Sequence, residues 1–203
     1  MNLSNALLSF LLIVLFVSVS QPGYAQDLDT THYYVTNRVY KITTQDTLTL
    51  DIYYPEGYDG QVLPAVVFFF GGGWTGGNRQ HFSNHSKYLA SRGMIAITAD
   101  YRIKGKHGTR PQEAVMDARS AMRFVKQHAD ELGVDTTRLA AGGGSAGGHL
   151  ALATATLSGF DEPEDDIDIS PMPDALLLYN PVVNTTSEGF GSSRLGSDTL
   201  NLS

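Results

Sequence analysis

The sequence predicts an α/β fold, a mainly parallel sheet with helices packed on both faces. Three observations predict it. Short runs of apolar residues (Ala65–Phe70, AVVFFF; Met94–Ala99, MIAITA; Asp174–Tyr179, DALLLY) are bounded by turn residues, as strands covered on both sides are. Longer segments with apolar residues three and four apart alternate with those runs. Strand and helix therefore repeat in β–α units, which sets parallel strands side by side with helices on either face.

The elements follow in order. Residues 6–19 (ALLSFLLIVLFVSV) form an apolar run of fourteen, followed by Ser20-Gln21-Pro22 and the small-residue pattern Gly23-Tyr24-Ala25. This has the form of a signal peptide cleaved after Ala25, although MNLSN carries no Lys or Arg. A membrane anchor is the competing reading, but the run is shorter than the roughly 20 residues a spanning helix needs. Residues 1–25 are thus expected to be removed on export to the periplasm or beyond, with no stable membrane anchor. Residues 26–203 are expected to form one domain.

Tyr33–Thr43 and Thr47–Tyr54 are rich in Tyr, Val, Ile and Thr, and the short link Thr44–Asp46 predicts an antiparallel pair. Pro55–Gly60 is turn chemistry. Strand Ala65–Phe70 runs into Gly71-Gly72-Gly73, Ser83–Ser91 is a short helix stopped by Gly93, and Met94–Ala99 is a buried strand. Pro111–Leu132 is predicted as one helix, with Val115, Ala118, Met122 and Val125 on one face and Gly133 at its end. Arg138–Ala141 is a short strand, Ser145–Leu157 a helix and Asp174–Tyr179 a further strand. Beyond Thr185 the chain is polar and rich in Gly and Ser.

Composition excludes several classes. Of 203 residues, 42% are hydrophobic and 17% charged, a globular balance suited to one domain. The net charge is −7, and residues 158–173 hold six acids and no base, leaving −1 on the rest. That stretch is expected to be a solvated acidic loop. No basic stripe exists to meet phosphates, so nucleic acid is not expected as a partner. Cysteine is absent, which removes disulfides and thiolate metal sites. Metal-ligand spacings and nucleotide-binding loops are missing, so no metal and no cofactor is expected.

The chemistry-bearing segment is Gly142-Gly143-Gly144-Ser145-Ala146-Gly147-Gly148-His149. Gly143-x-Ser145-x-Gly147, between a strand and an apolar helix, is the nucleophile-elbow pattern: a sharp turn with serine at its apex. An incidental serine in a glycine-rich turn is the bland alternative, and a phosphate-cradling loop would need a Lys that is absent. Acyl transfer builds negative charge on a carbonyl oxygen, and backbone amides stabilise it. One donor is expected from Ala146, the others from the glycine loop after strand 65–70. Trp74 beside that loop either lines an acyl pocket or packs.

The segments FFFGGGW (68–74), ADYR (99–102), DARSAMRFVKQHADELGVD (117–135), AGGGSAGGHLAL (141–152) and LLLYNPV (176–182) together resemble the α/β-hydrolase superfamily. The resemblance is to its hormone-sensitive-lipase-like and bacterial feruloyl and acetyl-xylan esterase-like branch, and it covers about Tyr33 to Val183. It implies an α/β-hydrolase fold and ester hydrolysis. Carried over by motif, Ser145 is the nucleophile and Gly72, Gly73 and Ala146 are the oxyanion donors. Phe70 stands where many relatives have His, and Gly144 where many have Asp.

In this fold the triad order is Ser, then an acid, then His. Here His32, His81, His85, His107 and His128 all precede Ser145, and His149 lies within the helix that follows it. No histidine follows Asp198. The general base is therefore expected beyond Ser203, together with the last strands, because about six strands are legible against the eight or so that the resemblance implies. The 203-residue chain alone is expected to be a poor catalyst. A carboxylesterase acting on acyl or acetyl esters, small or polysaccharide-linked, is the leading reading. A serine peptidase of the same fold and a non-catalytic relative remain as alternatives.

Overall fold

The computed structural model describes residues 32–185 and 189–190. The apolar run 6–19, the cleavage pattern at Ala25 and the polar segment 191–203 lie outside the described residues. Among the described residues six strands make one sheet: β1 (Tyr33–Ile42), β2 (Thr47–Pro55), β3 (Leu63–Phe69), β4 (Ile95–Ala99), β5 (Val134–Gly144) and β6 (Ala175–Tyr179), in the order β1-β2-β4-β3-β5-β6. β4, β3, β5 and β6 run parallel, while β1 and β2 are antiparallel at one side.

The apolar runs are continuous because each strand serves two cores. Ala65, Val67 and Phe69 of β3 join Ile95, Ile97 and Leu139 on one face. There α3 (Pro111–Gln127) and α5 (Ala146–Thr156) cover them with Val115, Ala118, Met122 and Leu150. Val66 and Phe68 join Tyr53, Ala96 and Ala140 on the other face, beneath α1 (Ser83–Ala90) and the 3-10 turn Arg79–Phe82 that leads into it. The result is the α/β-hydrolase arrangement.

One expectation about the helices is corrected. The helix foreseen over 111–132 is two, α3 and α4 (Ala129–Leu132), because His128 leaves helical geometry at φ −106 and ψ 21. Its ring stacks on Phe124 at 4.2 Å, with Nδ1 2.9 Å from the Phe124 carbonyl. A four-residue helix, α2 (Lys104–His107), lies between β4 and α3, where the sequence pattern predicted no element.

The acidic stretch 158–173 is not simply a solvated loop. Asp161 sits between Arg119 and Arg123, each with a guanidinium nitrogen at 2.7 Å. Asp165 meets Arg123 at 3.2 Å and accepts from Ser120. Glu162 pairs with Lys41 at 2.8 Å and with Arg102. Fully buried Asp117 on α3 binds the same Lys41 and Arg102. Burial works against ionising Asp161 and Glu162, but the bonds from these cations win and hold both carboxyls below the usual range. The loop is thereby tied across α3 to β1. Glu164, Asp166 and Asp168 remain exposed.

Candidate active site

β3, β4 and β5 end in register, Phe69 beside both Ala99 and Gly143. The glycine loop, Asp100-Tyr101 and Ser145 therefore leave the sheet along one edge, the carboxyl end of the parallel strands, where open α/β sheets bind ligands.

Ser145 is exposed and stands between β5 and α5 at φ 53 and ψ −117, a conformation L-residues rarely adopt. Neighbouring backbone fixes it. Its N–H donates to the Tyr179 carbonyl at 3.0 Å, and its carbonyl accepts from His149 and Val182 at 3.1 and 3.2 Å. The two flanking glycines are steric necessities: a Cβ on Gly143 would lie 2.4 Å from the Gly147 carbonyl, and one on Gly147 2.1 Å from that of Phe69. Ala146 is buried and opens α5, so its amide belongs to the first turn, which has no acceptor within the helix. The positive end of the helix dipole faces the same point.

The glycine loop comes to the elbow from β3. A Cβ placed on Gly71 would be 3.7 Å from the Ser145 Cβ, so Gly71, outside the expected donor set, borders the serine directly. Gly72, Gly73 and Trp74 follow with φ of 134, 58 and 56. The Gly72 carbonyl accepts from Thr75 and Gly76, which curls the loop back on itself. Trp74 is only 1% exposed and meets the His149 ring edge-on at 5.1 Å, so in the described residues it packs.

Tyr101 was not singled out from the sequence, although ADYR carries it. Its ring stacks on Phe70 at 3.9 Å and its hydroxyl donates to the Phe70 carbonyl at 2.7 Å, orienting the peptide that enters the glycine loop. Burial pushes its pKa far up, so it stays a protonated donor.

The histidines are engaged elsewhere. His149 is buried against Trp74, and His107 lies 3.0 Å from Asp46. His128 is bonded to Phe124 and His32 to Glu56. His81 borders the Phe70 ring, and His85 lies 5.4 Å from the Tyr179 ring. None of these contacts is to Ser145 Oγ.

The strand-turn-helix serine and the glycine loop both lie within residues 50–183, from β2 past β6, which match the BD-FAE family model. The chain belongs to the BD-FAE family. Among curated relatives of this BD-FAE chain, carboxylesterase NlhH of Mycobacterium tuberculosis is 37% identical over 98 residues, which are 47% of this chain and 30% of NlhH. Isoprenylcysteine alpha-carbonyl methylesterase ICME of Arabidopsis thaliana is 37% identical over 102 residues, 50% of this chain and 23% of that protein. Among solved structures, the apo form of Thermogutta terrifontis esterase 2 superposes with TM-score 0.77 at 40% identity, covering 86% of this chain and 66% of that one. The chain thus spans less than a third of these two relatives and about two thirds of the Thermogutta esterase.

Proposed function

We propose that the protein is a serine carboxylic ester hydrolase in which Ser145 forms an acyl-enzyme. The observation that carries this reading is the strained, exposed Ser145 with the glycine loop against it. Ser145 Oγ attacks the ester carbonyl, and the oxyanion is met by the amide of Ala146 together with those of Gly72 and Gly73. The alcohol leaves, and water then releases the acid. The relatives' names support esters over peptides, and Thermogutta esterase 2 has been solved with propionate and with butyrate bound, which favours short acyl groups here.

The general base is proposed to lie in a part of the gene product outside these 203 residues, in the order Ser, acid, His. Export with cleavage after Ala25 completes the proposal, and N-terminal sequencing of exported protein is expected to start at Gln26.

The test is turnover of p-nitrophenyl butyrate and of a peptide amide by the full-length gene product and its Ser145→Ala variant. Ester hydrolysis is expected to vanish in the variant, apart from the ~10³–10⁴-fold residual that binding and the oxyanion hole give over water. Near-full activity in the variant would refute the nucleophile, and preference for the amide would favour a peptidase. The 203-residue chain is expected to turn over far more slowly than the full-length product.

A further inference from the structure

Three glycines give a loop many conformations, so something must hold the one observed. Gly72, Gly73 and Trp74 take three successive positive φ values, and for tryptophan that is a strained state. Such a state persists only where the surroundings over-determine it. The loop's own bonds, from Thr75 and Gly76 to the Gly72 carbonyl, close the turn without fixing it to the sheet. Trp74 packs on His149 of α5, and two backbone bonds come from α2. Lys104 N–H donates to the Trp74 carbonyl at 2.8 Å and Gly105 N–H to the Thr75 carbonyl at 2.9 Å. The approach is close enough that a Cβ on Gly105 would lie 2.5 Å from the Thr75 oxygen.

A four-residue helix is not rigid by itself, and α2 is held from its far side. Asp46 Oδ2, in the turn between β1 and β2, takes Lys106 Nζ at 2.5 Å and His107 Nε2 at 3.0 Å. The Ile103 N–H meets His107 Nδ1 at 2.8 Å, which turns Nε2 toward Asp46. Asp46 is itself anchored, its carbonyl accepting from the Thr43 N–H and hydroxyl and its N–H donating to Thr43 Oγ1. A cleft of about 340 Å³ is lined by Asp46 and His107 together with Phe70 and Gly77, and beside it α2 bonds to Asp46 on one side and to the glycine loop on the other.

We propose that Asp46 is a positioning residue for the glycine loop, acting through α2 to hold the Gly72 and Gly73 amides toward Ser145. The proposal rests on the reading of that loop as part of an oxyanion hole. The bonds from Lys106 and then His107 hold the Asp46 carboxyl at about 2, so the anchor stays charged through the neutral range.

Trp74 is the only tryptophan in the chain, which gives a readout independent of catalysis. Asp46→Asn keeps an oxygen for the Thr47 N–H and preserves the turn, but removes the charge that Lys106 and His107 share. In the 203-residue chain this variant is expected to shift Trp74 emission to the red and raise its quenching by acrylamide, with far-UV circular dichroism unchanged. His107→Gln tests the same link from the α2 side should Asp46→Asn fail to fold, and Asp46→Glu is expected to restore the wild-type spectrum. In the full-length product Asp46→Asn is expected to lower kcat about tenfold or more with KM little changed, less than the ~10²–10³ lost with a whole oxyanion donor. Folded Asp46→Asn or His107→Gln with wild-type Trp74 emission and quenching overturns the positioning role. Loss of the function reading would show separately, as Ser145→Ala retaining turnover while the Trp74 response to Asp46→Asn persists.

Discussion

Ser145 is held at φ 53 by bonds its own side chain does not make, so the strain belongs to the backbone and not to the hydroxyl. A positive φ in a non-glycine residue costs ~1–3 kcal/mol, and glycine's greater freedom when unfolded returns ~0.5–1 of that. Ser145→Gly is therefore expected to be more stable than wild type by about 1 kcal/mol, while Ser145→Ala, with the same Cβ, changes little. Urea midpoints at unchanged slope measure both. A glycine variant less stable than the alanine one would mean that the apex is unstrained. Gly147 makes the opposite case. Its added Cβ would meet the carbonyl oxygens of Phe69 and Phe70 at 2.1 and 2.4 Å, backbone that cannot turn aside. Gly147→Ala is expected to destabilise by about 3 kcal/mol or more, at the upper end of overpacking costs, and to show a lowered urea midpoint even though alanine favours helix.

At the scale of elements, the segment 158–173 depends on its ion pairs. Asp161 and Glu162 have folded-state pKa values depressed below those of the unfolded chain. The stability they contribute is thus present above about pH 4, and it is lost as pH falls from there through the lower folded-state values. Urea midpoints are expected to drop across that window, and Asp161→Asn with Glu162→Gln to flatten the drop; an equally steep fall in the double variant would place the acid sensitivity elsewhere. Arg123, bonded to Asp161, Asp165 and the Ile169 carbonyl, is expected to cost about 2 kcal/mol as alanine, the scale of a hydrogen bond to a charged group. None of this was legible beforehand. Arg119 and Asp161, or Lys41 and Asp117, lie far apart in the chain, and nothing in a local pattern says which charges will meet. The strands were legible, because runs such as AVVFFF feed two cores and leave no other reading. The strand-turn-helix at Ser145 was legible for a steric reason, since only glycine fits at 143 and 147. α2 was not, being too short to show a helical period, and neither was the break at His128, which depends on a ring stacking on Phe124.

The whole molecule shows an asymmetry between its two sheet edges. β1 carries the exposed Arg38 on its length, the kind of charge that discourages a second chain from pairing. β6 carries none: its sequence is ALLLY, and among the described residues it pairs with β5 alone. Leu176, Leu178 and Tyr179 are 36%, 37% and 43% exposed, and beside them lies a groove of about 400 Å³ lined by His85, Tyr88, Leu89 and Leu177. An apolar strand with open amides and carbonyls is a template for pairing with another copy. The 203-residue chain is therefore expected to self-associate, its sedimentation coefficient rising with concentration. Leu178→Lys, which sets a charge on that edge without touching Ser145, is expected to restore a concentration-independent value. Val39→Lys on the already charged β1 edge serves as the control and is expected to leave association as it was. Sedimentation of the unaltered chain as a monomer at every concentration would mean that β6 is protected in solution, and reversal by Val39→Lys but not by Leu178→Lys would move the contact to the opposite edge.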